Sequence, residues 1–246
     1  MWSDHINYYG DMRTHQLVLT WIEKQLSDGE LSVGGRLPAE RTLAEKLGVS
    51  RTSVREAIRI LEAMGVVRAG VGSGPEAGTV VISDPTAALG SALRLHVATQ
   101  HLPVADIVET RVLLESWAAA RARADAPQLE QAATLLDEMD AVGHGSREAD
   151  AFLALDVRFH LCLADAAGNA VVSAMMGSLR ESIQGYAATL TANLPEWDAT
   201  AQRLQAEHRG ILAAIRNGDG GLAAKLVADH IEGYYREAGV RHAPKS

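Results

Sequence analysis

The run LPAERTLAEKLGVSRTSVREAIRILEAMGVV, residues 37–67, contains the signals that decide the fold of the first part of the chain. Pro38 suits the first turn of a helix, and Gly48 is a typical residue to end it. Ser50 is a suitable N-cap for the next helix, which the apolar spacing predicts over 51–64. Two helices joined by so short a turn predict a helix-turn-helix.

The sequences on either side extend this unit to a winged helix-turn-helix. Upstream, residues 15–27 carry apolar side chains at helical spacing and predict a first helix. Downstream, VVRAG (66–70) and TVVIS (79–83) are β-branched runs separated by a glycine-rich segment, which is typical of a hairpin. We therefore expect a winged helix-turn-helix domain over residues 1–82.

The rest of the chain is predicted to be helical. Residues 83–103 are expected to form a connector and linking helix, and residues 104–240 an all-helical bundle. Glycine and proline breaks predict helices at about 89–98, 104–124, 127–141, 147–166, 170–191, 197–216 and 219–238. The fold class is therefore mainly α, with an N-terminal winged helix-turn-helix, a small β-hairpin wing and a C-terminal all-α helical bundle.

Composition limits the class of protein. The single cysteine, Cys162, excludes an internal disulfide framework and fits a reducing compartment. No apolar run approaches the roughly 18 residues that a membrane span requires. The first residues lack the apolar segment of a secretory signal. We expect a cytoplasmic protein with no membrane partner.

Charge is distributed unevenly along the chain. The formal net charge is −8, which disfavours non-specific binding to nucleic acid. Residues 36–59 nevertheless carry six basic and three acidic side chains, a local net charge of +3. A basic patch on an acidic protein indicates that DNA is contacted through one small surface.

The predicted helix over 51–64 carries candidate DNA contacts. Arg51, Arg55 and Arg59 recur every four residues and share one face. Arginine can contact guanine through two hydrogen bonds, and Thr or Ser can contact a base or a phosphate. The side chains in the first turns, which usually meet base edges, are Arg51, Thr52, Ser53 and Arg55. A solvated basic helix face is the alternative, but the preceding helix and following hairpin favour DNA binding.

The same run resembles the DNA-binding domain of GntR-family regulators. The resemblance implies DNA contacts from Arg41, Arg51, Thr52, Ser53 and Arg55. It also implies a wing tip in the minor groove, with a close backbone approach at Gly72. The wing here, GVGSGPEAGTVV, departs from the family pattern because it is longer and carries the acidic Glu76.

The second half of the chain contains a candidate metal site. Asp156 and His160 lie four residues apart, so a helix projects both from one face. His208 and His230 lie on two later predicted helices. A carboxylate and three imidazoles suit Zn²⁺, Ni²⁺ or Mn²⁺. Each histidine taken singly is more often a surface or core residue than a ligand.

Residues 104–238 resemble the FCD ligand-binding domain of the FadR branch of GntR regulators. The resemblance is carried by DIVETRVLLE, the Asp156/His160 pair, AGN at 167–169 and the two later histidine-bearing helices. It implies a divalent metal ion on the four residues, with a small carboxylate-containing effector beside it. Arg111 is the implied effector contact and Arg180 a weaker candidate, although Arg111 can equally form an ion pair with Glu109 or Glu115.

The combined expectation is a sequence-specific transcription repressor, not an enzyme, whose affinity for double-stranded operator DNA depends on a small organic acid. One recognition helix reads only a half-site, so a homodimer is expected. In one alternative, the metal ion itself is the signal. In another, a helical metalloenzyme is fused to the DNA-binding module. The acids next to metal histidines, Glu207 and Asp229, are expected to point elsewhere, which leaves no evident general base for an enzyme.

Overall fold

A computed structural model describes residues 14–70, 78–99, 101–142, 149–192, 194 and 196–239. The chain divides into two compact units, Met1–Ala88 and Leu89–Ser246. In chain order, the elements are α1 Thr14–Ser27, α2 Glu40–Leu47, α3 Arg51–Ala63, β1 Val67–Gly70, β2 Gly78–Val81, α4 Pro85–Ala98, α5 Val104–Arg121, α6 Gln128–Val142, α7 Ala149–Ala166, α8 Ala170–Ala192, α9 Trp197–Arg216 and α10 Gly220–Glu237. The predicted fold class is confirmed.

The first unit is built around the turn between α2 and α3. Gly48 ends α2 in the left-handed conformation, at φ 65°, which a glycine adopts without steric cost. Ser50 is the predicted N-cap of α3, and its Oγ accepts a hydrogen bond from the backbone N–H of Ser53 at 3.0 Å. The buried apolar residues of its core are Val18, Ile22, Leu37, Leu43, Ala44, Val54, Ala57, Ile58, Leu61, Val67 and Val81.

A two-stranded hairpin follows α3. Strands β1 and β2 are antiparallel, with Val67 paired to Val81 and Gly70 to Gly78. The predicted tip of this wing, including Gly72, lies outside the described residues.

Two helices begin at different positions from those predicted. Helix α2 begins at Glu40 and not at Pro38, because Leu37 is still held by β2, its N–H donating to the carbonyl of Thr79 at 2.8 Å. Helix α4 begins at Pro85, earlier than predicted, since proline is favourable in the first helical turn. Part of the predicted connector is therefore already helical.

The second unit is an all-helical bundle. Helix α5 packs against α10, α6 against α7, and α9 against both α6 and α10. Among its largest fully buried side chains are Leu129, Leu135, Met139, Phe152, Phe159, Ile211, Ile215 and Ile231. Of the helices described, none combines the length and apolar character needed to cross a bilayer.

Candidate metal centre and nucleic-acid interface

Four side chains that are far apart in sequence converge inside the helical bundle. Asp156 and His160 come from α7, His208 from α9 and His230 from α10. Each offers one ligand atom, and these four atoms all lie within 4.8 Å of one another. All three histidines are buried. The structure thus brings together the complete set of residues that was expected to bind metal.

The distances within this cluster fit a single ion. Nε2 of His230 lies 3.3 Å from Nε2 of His160 and 3.2 Å from Nε2 of His208. Oδ1 of Asp156 lies 3.0 Å from Nε2 of His208 and 3.6 Å from Nε2 of His160. Two nitrogens that bind one Zn²⁺ at tetrahedral angles are roughly 3.3 Å apart, given Zn–N bonds of about 2.0–2.1 Å.

Two carboxylates determine which ring nitrogen of two imidazoles carries the proton. Oε2 of Glu115 lies 2.6 Å from Nδ1 of His160, and Oε2 of Glu207 lies 2.8 Å from Nδ1 of His230. An ionised carboxylate only accepts hydrogen bonds, so each Nδ1 donates and each Nε2 directs a lone pair into the cluster. Lone pairs this close repel each other, and a bound cation would convert that repulsion into attraction.

Burial keeps two of the imidazoles neutral. Burial, together with the neighbouring His230, lowers the pKa of His208, and burial likewise lowers the pKa of His230. Both rings are therefore uncharged at neutral pH, which is the form that binds a metal ion. Nδ1 of His208 has no hydrogen-bond partner among the described residues.

Asp156 is held in its ionised form. Burial alone would raise its pKa, but His160, His208 and Arg180 outweigh that effect and hold the pKa well below the usual range. Nη1 of Arg180 donates to Oδ2 of Asp156 at 2.9 Å. The carboxylate is therefore charged at neutral pH, as metal binding requires.

A cavity of about 60 Å³ lies beside the cluster. One bound water needs roughly 10–15 Å³ of such volume, so the space admits a molecule with only a few non-hydrogen atoms. The lining residues are Arg111, Leu153, Asp156, Val157, Arg180, Ile183, Leu204, His230, Ile231, Tyr234 and Tyr235. An acidic ligand here would meet two cationic side chains, the Asp156 carboxylate and a mainly apolar wall.

Both arginines of this cavity are buried and joined to the same carboxylate. Nε of Arg111 donates to Oε1 of Glu115 at 2.9 Å, and Nη1 donates to the Tyr235 hydroxyl at 2.8 Å. Nη2 of Arg180 donates to Oε2 of Glu115 at 2.8 Å. Arg111 therefore forms the ion pair with Glu115 that was one interpretation from sequence. It also lines the cavity, and its contact with an effector stays a prediction.

Sequence analysis missed the carboxylates that hold the cluster histidines. Glu207 was expected to point away from the site because it is adjacent to His208, and that prediction is wrong, since Glu207 contacts His230 on the next helix. Glu115 was considered only as a partner of Arg111. The arginines and His160 hold the pKa of Glu115 well below its usual range, although burial alone would raise it. The four-residue spacing between Arg111 and Glu115 was the one feature of the sequence that drew attention to Glu115.

The candidate DNA contacts in the first unit lie on α2 and α3. Arg51 is exposed at the start of α3. Nε of Arg55 donates to Oε2 of Glu40 at 2.7 Å, and Nε of Arg41 lies 3.6 Å from Oε1 of Glu45. Exposed ion pairs of this kind contribute little free energy, so both guanidinium groups can exchange them for DNA.

The two small polar residues next to Arg51 differ in exposure. Thr52 is exposed, whereas Ser53 is buried. Oγ of Ser53 lies 2.7 Å from Oγ1 of Thr14 and 2.9 Å from Oγ of Ser50, so it links α1 to the start of α3. Of the expected contacts within the described residues, the one from Ser53 has the least structural support.

Comparison with known protein families assigns the class of protein. The family model described as "Bacterial regulatory proteins, gntR family" matches residues 16–76, and the model described as "FCD domain" matches residues 106–233. The second match alone covers more than half of the chain. The chain belongs to the GntR family of bacterial regulators and carries an FCD domain, as the sequence resemblances predicted.

Individual relatives agree along nearly the whole chain. The "HTH-type transcriptional regulator LutR" of Bacillus subtilis is 32% identical over 225 residues, which span 86% of this chain and 98% of the relative. The "Glc operon transcriptional activator" of Escherichia coli is 26% identical and covers 88% of this chain and 85% of its own length. A solved structure, "Streptococcus agalactiae GntR", has a TM-score of 0.64 at 27% identity, covering 91% of this chain and 99% of that one.

These matches establish the general function. The chain is a DNA-binding transcriptional regulator and not an enzyme, because the gntR family model describes regulatory proteins and the curated relatives that match nearly the whole chain are regulators. The alternative of a metalloenzyme fused to a DNA-binding module is therefore rejected.

Proposed function

We propose that the chain is a metal-dependent repressor whose affinity for operator DNA is controlled by a small organic acid. The observation that carries the proposal is the buried cluster of three histidines and Asp156, placed beside a cavity that two arginines line. In this proposal, residues 1–82 bind DNA, residues 83–103 connect, and residues 104–240 bind metal and effector.

The four cluster residues would hold one divalent ion, with Zn²⁺, Ni²⁺ and Mn²⁺ as the candidates. Such an ion supplies a positive charge that attracts a carboxylate. Arg111 and Arg180 balance the charges of Glu115 and Asp156, and Arg203 pairs with Glu207, the third carboxylate at the cluster. A divalent ion would therefore add positive charge that these ion pairs do not balance, which favours an anion.

Arg180 adds a specific hydrogen-bond donor for this anion. Both of its Nη atoms are engaged by carboxylates, and its buried Nε has no partner among the residues that the structure describes. A buried donor that lacks an acceptor costs free energy, and a ligand carboxylate would remove that cost. Together with Arg111, this donor supports a carboxylate-containing effector in preference to a neutral one.

The DNA-binding half of the proposal uses the exposed side chains of α3. Arg51, Thr52 and Arg55 would contact base edges, with Ser53 included by family resemblance alone, and Arg41 would contact a phosphate. The wing would approach the minor groove at Gly72. Two copies would bind a two-fold operator in the cytoplasm, because one recognition helix reads only half of such a site.

DNA footprinting on the region upstream of the protein's own gene tests this proposal. The protein is stripped of metal and then assayed alone, with Zn²⁺, Ni²⁺ or Mn²⁺, with short carboxylic acids, and with metal and acid together. We expect metal-loaded protein to protect a two-fold site and to release it when an acid that fits the cavity is added. Protection that never appears under any of these conditions would contradict the proposal.

Metal sensing is the second candidate function, and the same cluster supports it. In that case the ion alone would switch operator affinity, and no acid would change it further. The sign of regulation needs a separate assay, since the relative from Escherichia coli is described as an activator. If the chain is a repressor, deletion of its gene raises transcription from the protected promoter.

A further inference from the structure

A buried pair of opposite charges joins Asp156 and His160, two residues of the metal cluster. Nη1 of Arg180 donates to Oδ2 of Asp156 at 2.9 Å, and Nη2 donates to Oε2 of Glu115 at 2.8 Å. The same Oε2 atom lies 2.6 Å from Nδ1 of His160. Glu115 and Arg180 are only 3% and 4% exposed. We call this pair the Glu115–Arg180 bridge.

We propose that the Glu115–Arg180 bridge positions His160 and Asp156 as one unit, so that the affinity of the cluster for a divalent ion depends on it. Both residues act through the ligands and are positioning residues. This inference rests on the proposed function, since it presupposes that the cluster binds an ion.

The bridge controls two orientations at once. Glu115 accepts a hydrogen bond from Nδ1–H of His160, which leaves the Nε2 lone pair directed into the cluster. Arg180 holds Oδ2 of Asp156, which leaves Oδ1 facing the histidine nitrogens. A guanidinium group is planar and presents its donors in a fixed fork, so it fixes the angle between the two carboxylates that it joins.

The carboxylate that holds His230 provides an internal comparison. Glu207 accepts from Nδ1 of His230 at 2.8 Å, but its own cation is Arg203, which lies at the edge of the bundle. The side chains of Glu207 and Arg203 are 30% and 36% exposed. Water can therefore replace Glu207 as the acceptor, whereas the buried bridge leaves water no equivalent access.

Metal affinity should therefore depend more strongly on Glu115 than on Glu207. Loss of Glu207 affects one ligand, His230, and water compensates in part. Loss of Glu115 affects His160 directly and Asp156 through Arg180, and nothing replaces it. Removal of a residue that orients a metal ligand typically lowers metal affinity by about 10- to 100-fold.

The test uses metal-stripped, full-length protein titrated with Co²⁺ and followed by its visible absorption. Glu207→Gln and Glu115→Gln are matched variants, because each removes one charge while preserving shape. We expect Glu207→Gln to weaken Co²⁺ binding by about 10-fold with an unchanged spectrum. Glu115→Gln should weaken it by about 100-fold. It should also change the shape of the spectrum, because Asp156 loses its orientation, an effect that general destabilisation would not produce.

A second variant keeps the proposal testable if Glu115→Gln does not fold. Arg180→Lys retains the buried positive charge but has one nitrogen in place of the planar fork, so it cannot hold both carboxylates in the same geometry. Circular dichroism of the metal-free variant checks the fold. We expect Co²⁺ affinity at least about 10-fold below that of the original protein, again with an altered spectrum.

The outcomes separate the two proposals. If the original protein takes up no Co²⁺, the proposed metal-dependent function is wrong, and the inference about the bridge falls with it. If the original protein binds Co²⁺ but Glu115→Gln matches Glu207→Gln in affinity and spectrum, only the bridge is wrong. If Arg180→Lys binds Co²⁺ with the original affinity and spectrum, the bridge is likewise overturned.

Discussion

The basic face of α3 and the metal cluster of the helical bundle share one sequence pattern, but the first is exposed to solvent and the second lies inside the protein. Arg51 and Arg55, like Asp156 and His160, are polar residues four positions apart on one helix. On α3 the side chains are exposed, and the ion pair of Arg55 is exposed as well. In the bundle His160 is buried and Asp156 is half-buried, and both belong to one cluster of polar side chains. The exposed face suits the DNA contact proposed for it, and the buried cluster suits a site closed to bulk water.

The largest expected effect concerns metal and stability. If the ion binds only the folded state, a concentration of about 1,000 times its Kd stabilises the protein by about 4 kcal/mol. Thermal unfolding of the original protein should therefore shift to higher temperature when Zn²⁺, Ni²⁺ or Mn²⁺ is added. His208→Ala should abolish the shift, and His96→Ala, at an exposed position on α4, should retain it. If metal raises the unfolding temperature of His208→Ala as much as that of the original protein, the ion does not bind at the buried cluster.

The next effect concerns recognition of DNA. Arg51→Ala should weaken binding to the footprinted operator by about 1–3 kcal/mol, because a base contact is lost. Its metal content should be unchanged, because DNA binding and metal binding are assigned to different regions of the chain. Arg158→Ala, which removes an exposed arginine of the bundle, is the control in a fluorescence anisotropy titration. Normal operator affinity of Arg51→Ala would show that α3 is not the recognition helix.

A smaller effect is expected at Arg41, which is assigned to a phosphate. Arg41→Ala should weaken binding to operator and to unrelated DNA alike. The dependence of log K on log salt should lose about one unit of slope, because one fewer phosphate is neutralised. A selective loss of operator binding in the same titrations would instead indicate a base contact.

The smallest expected effect concerns the exposed ion pair between Glu40 and Arg55. Glu40→Ala removes the partner of Arg55, and an exposed pair of this kind contributes about 0.2–1 kcal/mol to stability. Operator affinity should rise slightly, because an acid is removed and Arg55 is freed for DNA. A fall in operator affinity would mean that Glu40 orients Arg55 for recognition.

Features that depend on neighbours along the chain were predictable from sequence. The N-cap at Ser50 and the helix end at Gly48 follow from local backbone chemistry. The Asp156/His160 pair follows from the helical repeat. The start of α2 could not be predicted in this way, because it depends on the hydrogen bond between Leu37 and β2, a contact across the unit.

Features that depend on contacts between helices were not predictable from sequence. Glu115 and Glu207 lie on α5 and α9, while the histidines that they hold lie on α7 and α10. No spacing in the sequence indicates which helices pack together or which faces meet. Ser53 is a further example. Its position in the sequence suggests a contact with DNA, but its hydroxyl lies within hydrogen-bond distance of Thr14 inside the unit.

The number of metal ions bound per chain tests the central claim most directly. Native mass spectrometry of stripped protein, reloaded with Zn²⁺, Ni²⁺ or Mn²⁺, compares the original chain with His208→Ala. The account predicts one ion per original chain and none in the variant. An original chain that takes up no ion, or a variant that retains it, would contradict the assignment of the buried cluster as a metal centre.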